Sequence, residues 1–178
     1  MSVSVLIFAL VMSAQEMGEK TCGGPIKGGG WNIWTNGSVS QWLLFPRTGT
    51  YRVVVLASGQ PAAGRKPVMT LSVDLGEVKR WQVGQGWKKY EATVMVKAGR
   101  HLLSVSFVND YSGPEGDRNL LLRSVEVGGG PGEVKKADAP DWRKEAEERI
   151  ERSRKGEIVI EVVEEKGRPV PGAGVKVE

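Results

Sequence analysis

The chain has 178 residues, 40% of them hydrophobic and 26% charged, with a formal net charge of +4. That composition is globular and sized for one ordinary domain, or one plus a fragment. Acids and bases are interspersed without a basic block carrying aromatics, which argues against nucleic acid, and a lone cysteine, Cys22, permits neither an internal disulfide nor a thiolate metal cluster.

The amino terminus admits two readings. Val3 to Met12 is a short apolar run, and Met12-Ser13-Ala14 supplies small residues for a cut. Residues 1–14 therefore fit a secretory signal in apolar length and cleavage site, which makes the protein secreted, although no Lys or Arg precedes Lys20. The alternative is an edge β-strand around Ala14-Gln15-Glu16-Met17. Either way the run is too short to span a bilayer. Residues 18–30 are glycine-rich and read as loop. Trp31, Trp34 and Trp42 follow; an indole face suits a sugar ring, but core burial is the expectation for each taken singly. Asn36-Gly37-Ser38 matches the N-glycosylation sequon, which matters only in a eukaryotic secretory host.

From residue 41 apolar residues recur at every second position between turn signals. Gln41 to Phe45 stops at Pro46. Tyr51, Val53, Val55 and Ala57 share one parity, as do Met69, Leu71 and Val73. Tyr90, Ala92, Val94 and Val96 repeat the pattern, then Leu103, Val105 and Phe107, and Leu120 to Val127 closes the series. Such alternation, broken by Gly, Pro and Asp, predicts half-buried strands, and about seven of them predict an all-β chain, a jelly-roll-type β-sandwich over residues 15–128. His101, the only histidine, reads as structural. Gly84-Gln85-Gly86 lacks the third glycine and the helix of a dinucleotide loop, and no nucleophile elbow, zincin or P-loop motif occurs.

Between the last two strands lies a polar stretch from Phe107 to Leu120. Asn109, Asp110, Glu115, Asp117 and Asn119 place five oxygen-bearing side chains within eleven residues. A hard cation such as calcium takes about six to eight oxygen ligands, several of them carboxylates. The spacing is not that of an EF-hand, and the same residue types also build plain surface turns.

Phe107-Val108-Asn109-Asp110-Tyr111 followed by Asp117-Arg118-Asn119-Leu120 resembles the signature of calcium-dependent, xylan-binding carbohydrate-binding modules of the family 60 type and of their circularly permuted relative, family 36. Gly29-Gly30-Trp31-Asn32 with Trp34-Thr35-Asn36-Gly37, Gly49-Thr50-Tyr51-Arg52 and Ala98-Gly99-Arg100-His101 resemble further motifs of that group in the same order. The resemblance implies a bound Ca2+ with open coordination positions, completed by two neighbouring hydroxyls of xylan or a related β-glycan. It points to Asp110 and Asp117 as metal carboxylates, with Asn109 and Asn119 ligating or ordering the loop. Arg118, Tyr111, Glu115 and Trp87 are the expected sugar-contacting or flanking residues. Where the family shows an acid after Asp-Arg-Asn-Leu, this chain has Leu121-Leu122-Arg123; a cation there holds no metal, which leaves Glu16 without a partner for a second, structural calcium.

Gly128 to Gly132 opens a linker over residues 129–140. In residues 141–178 a helix is expected, capped by Asp138 with Pro140 in its first turn and ended by Gly156. Trp142, Ala146 and Ile150 form a narrow apolar stripe, and the charges from Lys135 to Lys155 read as a solvated face rather than a nucleic-acid surface. Ile158 to Val163 reads as a strand, Lys166 to Gly172 as a turn and Val175 to Val177 as the start of a second strand in an incomplete β segment. This tail resembles the lead-in to family 10 glycoside hydrolases of the endo-1,4-β-xylanase type, which implies a catalytic domain attached beyond Glu178. No catalytic residues are expected within 1–178: two carboxylates in a solvated loop both stay ionised, and neither serves as a general acid. The competing readings are the front of an endo-xylanase and a sandwich of adhesive or structural type that binds nothing.

Overall fold

A computed structural model describes residues 9–154 and 163–172. These residues form thirteen strands and one α-helix. In chain order the strands are β1 (Ala9–Ser13), β2 (Glu19–Lys20), β3 (Gly24–Ile26), β4 (Gly30–Ile33), β5 (Gly37–Phe45), β6 (Gly49–Gln60) and β7 (Val68–Val73). They continue with β8 (Gly76–Gln82), β9 (Lys88–Val96), β10 (Gly99–Phe107), β11 (Tyr111–Gly113), β12 (Gly116–Gly128) and β13 (Lys135–Lys136).

Two antiparallel sheets face each other, as the alternation predicts. One runs β3-β4-β12-β6-β9, with β1 and β11 also paired to β12; the other runs β13-β5-β10-β7-β8, with β2 on β5. The parity read from sequence is the burial parity. Tyr51, Val53, Val55 and Ala57 of β6 are fully buried against Leu103, Val105 and Phe107 of β10 and their neighbours in one core. Each buried Val, Leu or Phe among them contributes roughly 1.5–3 kcal/mol by leaving water, so the inward rows hold the layers together. Along β12 the parity shifts once. Leu120 and Leu122 point inward, the register slips between Leu122 and Ser124, and Val125 and Val127 then point inward. Arg123 therefore stands at a bulge.

The amino-terminal run departs from the signal-peptide expectation from Ala9 onward. β1 pairs with the end of β12, from Ala9↔Gly128 to Ser13↔Ser124, and Met12 and Ala14 are fully buried. The edge strand thus lies five residues before the Ala14–Met17 run expected for it, and Ala14–Glu16 is a 3-10 turn whose entry is capped by the Ser13 hydroxyl. The glycine-rich stretch 18–30 also carries short strands, because two- to four-residue pairings leave no periodicity to read.

Residues 140–178 form a second compact unit. Its helix α1 (Trp142–Arg154) starts later than expected: the Asp141 carboxylate, not that of Asp138, accepts from the N–H groups of Arg143 and Lys144 at 3.2 and 3.3 Å. Pro140 consequently sits ahead of the helix. A turn closes Glu164 to Arg168, with Val163 bridging Pro169. The expected helix end at Gly156 and the strand at 175–177 lie outside the described residues, as does the expected strand at 158–163 apart from Val163. Among the described residues no helix is long and apolar enough to cross a membrane.

Candidate functional site

The oxygen-rich stretch is a hairpin. Tyr111, Ser112 and Gly113 pair with Arg118, Asp117 and Gly116, leaving Pro114-Glu115 as the tip. Gly116 has φ +108°, a conformation that side chains resist. Alternation gives the hairpin two faces. Tyr111 and Arg118 share one, with the guanidinium 5.5 Å from the ring centroid. Ser112 and Asp117 share the other, and carrying the register on by one residue sets Asp110 across from Asn119 on that same face.

The first face is occupied by Arg118. Arg118 is only 4% exposed. It donates to the carbonyls of Arg65 (3.2 Å), Asn109 (2.6 Å) and Ala62 (2.6 Å). Two of those carbonyls belong to a tight turn whose central residues, Ala63 and Gly64, both have positive φ. The expectation that Arg118 contacts sugar is corrected: three of its N–H groups clamp backbone, and the buried charge is balanced by carbonyl dipoles and the Tyr111 ring. Tyr111 faces that clamp. Asn109 is likewise an anchor, accepting from the Val68 N–H at 2.6 Å and donating to the Lys66 carbonyl at 3.0 Å. Its side-chain oxygen and nitrogen both bond the backbone of the 66–68 segment, which orders the loop.

The second face is open. Asn119 donates to Asp117 Oδ2 at 2.7 Å, and the Asp110 N–H donates to Asn36 Oδ1 at 2.8 Å. Asp110 Oδ1 and Asn119 Oδ1 are buried and receive no hydrogen bond. A buried acceptor without a donor costs about 1–3 kcal/mol. Two of them on one hairpin face, beside the exposed Asp117, are what a hard cation would relieve. The donor set suits calcium in kind, being carboxylate and amide oxygen, but no group of three or more carboxylate, imidazole or thiolate side chains assembles among the described residues. Carbonyls, hydroxyls and water must complete any shell. Ser112, on the same face, was missed by the sequence reading; its parity with Asp117 across a Gly-Pro-Glu-Gly tip was the available signal. Glu115 is exposed at the tip and has no partner among the described residues. An open hollow of about 380 Å³ adjoins the loop, lined by Asn36, Ser38, Ser106 and Val108 among others, but not by Asp110 or Asp117.

Along β12, Asp117, Asn119 and Leu121 share the outward parity, opposite the inward Leu120. The open face therefore continues the outer surface of the seven-stranded sheet. Trp87 belongs to this surface. It precedes Lys88, the partner of Ala57, so it lies beside Ser58, which pairs with Leu121. That is two strand spacings, or roughly 10 Å, from Leu121. Its indole is 40% exposed with the Arg123 guanidinium 4.5 Å from its centroid. Of the three early tryptophans none is fully buried: Trp34 is 47% exposed, and the half-buried Trp31 and Trp42 donate to the Cys22 carbonyl and to Glu19. His101 is hydrogen-bonded and packed, with Nδ1 2.5 Å from Asp74 Oδ2 and its ring edge-on to Phe45.

Comparison with known proteins follows the same lines. No curated protein sequence matches. Among solved structures the fold is similar to a family 36 module of a multidomain xylanase from the hindgut metagenome of Trinervitermes trinervoides, at TM-score 0.57 and 16% identity, covering 68% of this chain and 97% of that one. It is also similar to a family 35 module from an environmental isolate, at TM-score 0.53 and 15% identity, covering 74% and 99%. A family 36 module solved with calcium and xylotriose gives TM-score 0.50 at 16% identity, covering 66% and 98%. At these identities the likeness establishes the sandwich alone. The model of family CBM60, described as a Ca-dependent carbohydrate-binding module, xylan-binding, matches residues 52–140, half of the chain. With the sandwich and the hairpin motif in place, that match makes this chain a member of the CBM60 family of xylan-binding carbohydrate-binding modules.

Proposed function

We propose that the module binds xylan through a calcium ion held at the open face of the 111–118 hairpin. Asp110, Asp117 and Asn119 would hold the ion, with Ser112 beside them. The observation that carries this reading is the pair of buried, unbonded oxygens, Asp110 Oδ1 and Asn119 Oδ1, next to the Asp117 carboxylate. When bound, calcium supplies charge and open coordination positions that distinguish a vicinal diol from a single hydroxyl. This chain's own residues do the rest. Arg118 and Asn109 fix the loop from behind, Asn36 holds the Asp110 backbone, and Trp87 offers an indole to a pyranose lying along the outer sheet. The family 36 neighbour solved with calcium and xylotriose supports the choice of ion and sugar.

The biological role that fits is targeting of an attached glycoside hydrolase to plant cell-wall polysaccharide outside the cell. The family 10 resemblance of residues 142–173 supports an endo-xylanase as that enzyme. Calorimetric titration with calcium and then xylo-oligosaccharide tests the binding reading. Sugar heat that vanishes with chelator and returns with calcium is the expected result; sugar binding indifferent to chelator, or no binding to either, contradicts it.

A further inference from the structure

The expected acid after Asp-Arg-Asn-Leu is replaced here by Arg123, and the structure shows where that cation goes. Arg123 lies at the β12 bulge on the outer face, four residues beyond Asn119, or roughly 13 Å along the strand. Its Nη1 donates to the Gly28 carbonyl at 2.8 Å. Gly28 has φ +88°, and a Cβ there would stand 2.7 Å from Nη1, so a glycine is needed to seat the guanidinium. Trp87 lies across it at 4.5 Å from the indole centroid, and Nε is buried without a hydrogen bond.

The guanidinium is thus fixed in place with one of its five N–H groups assigned. No carboxylate lies within 4 Å of it among the described residues. That is unusual for a half-buried arginine, which ordinarily pairs. Lys89 follows Trp87 by two positions on the same face, exposed and also without a carboxylate partner among the described residues. The nearest acid on that strand face, Glu91, is held by Arg52 through bonds of 3.1 and 2.5 Å. An unneutralised cation pair flanking an exposed indole therefore lies along the surface that leads away from Asp117 and Asn119. A neutral xylose backbone gives a guanidinium nothing ionic to hold, whereas a planar carboxylate matches its fork.

We propose that Arg123, with Lys89 beside it, is a subsite for a carboxylate carried by the bound glycan, namely a uronic-acid substituent on xylan. The subsite rests on the glycan-binding reading above and adds substrate class to it: the module prefers acidic xylan. Trp87 and Gly28 serve to hold the guanidinium, and selectivity resides in charge.

The test is calorimetry with two xylo-oligosaccharides of equal length, one bearing a single uronic acid, on the calcium-saturated protein at low and high salt. The expected result is about five-fold tighter binding of the acidic sugar at low salt, falling toward parity at high salt. Arg123→Gln should bring the two affinities together while leaving calcium affinity within two-fold. Lys89→Gln, a surface change without packing consequences, should reduce the preference in the same direction. Equal affinities in the parent protein, with both sugars still calcium-dependent, would overturn the uronate subsite and leave the calcium reading standing. Failure of both sugars to bind would overturn both.

Discussion

The two faces of the 111–118 hairpin are a controlled comparison within a few residues of chain. On one face Arg118 satisfies three carbonyls and is itself covered by Tyr111. On the other, two acceptors are buried with no donor among the described residues, beside a carboxylate that accepts from Asn119. Both faces carry polar and charged residues from the same motif, so residue type does not separate scaffold from site. Hydrogen-bond completeness does. A finished network rigidifies the hairpin, and an unfinished one is a place for something else to bind.

The largest effect should come from breaking the finished face. Arg118→Met leaves the Asn109 carbonyl without its donor and removes the second bond to the Ala62 and Arg65 carbonyls, which keep only each other's N–H, and should cost about 1.5–3 kcal/mol in urea unfolding of the calcium-free protein. Calcium binding should fall with it, because the loop loses its backing. Asp117→Asn acts on the unfinished face and should do the reverse. Calcium affinity should drop by at least about ten-fold, as loss of a partner in a metal site does, while calcium-free stability stays within about 1 kcal/mol. If the two substitutions gave the same pattern, the division between the faces would be wrong.

Trp87→Ala sharpens the comparison from outside the hairpin. Xylo-oligosaccharide affinity should weaken by about ten-fold with calcium affinity unchanged, since the indole lies along the sheet rather than in the acceptor cluster. The smallest effect is expected far from the site, at Asp74 in the β7–β8 turn. Burial there favours the neutral acid, but the bonds from His101 and from the Leu102 N–H outweigh it and lower the Asp74 pKa below the ordinary carboxylate value. A lowered folded pKa means the stabilisation is complete above the unfolded carboxylate range and disappears as pH falls through the folded value. With the carboxylate half exposed, the term is below about 1 kcal/mol. Asp74→Asn should therefore flatten the acid side of the stability profile slightly and leave binding alone.

The sandwich was legible because burial alternates in its long strands: Tyr51 to Ala57 and Leu103 to Phe107 announce their inward rows directly. β2, β3 and β13 were not, since two or three residues set no period, and the run at Ala9–Ser13 reads equally as leader or strand until β12 is available to pair with it. The bulge at Arg123 was equally hidden, because a register slip leaves no compositional mark. At the candidate site, the motif picks out a hairpin but not its faces. Asn109 and Arg118 look like surface contacts by type and are spent on backbone, a matter decided by residues 62–68, which lie 41 to 56 positions upstream of them. Ser112 was the opposite case, an ordinary residue placed among the acceptors by parity.

The account depends most on where a divalent ion sits. Anomalous diffraction from crystals grown with calcium tests this directly. The prediction is a peak within about 2.3–2.6 Å of oxygens from Asp110, Asp117 and Asn119. A peak elsewhere on the molecule, or none at that hairpin with calcium in excess, would contradict it.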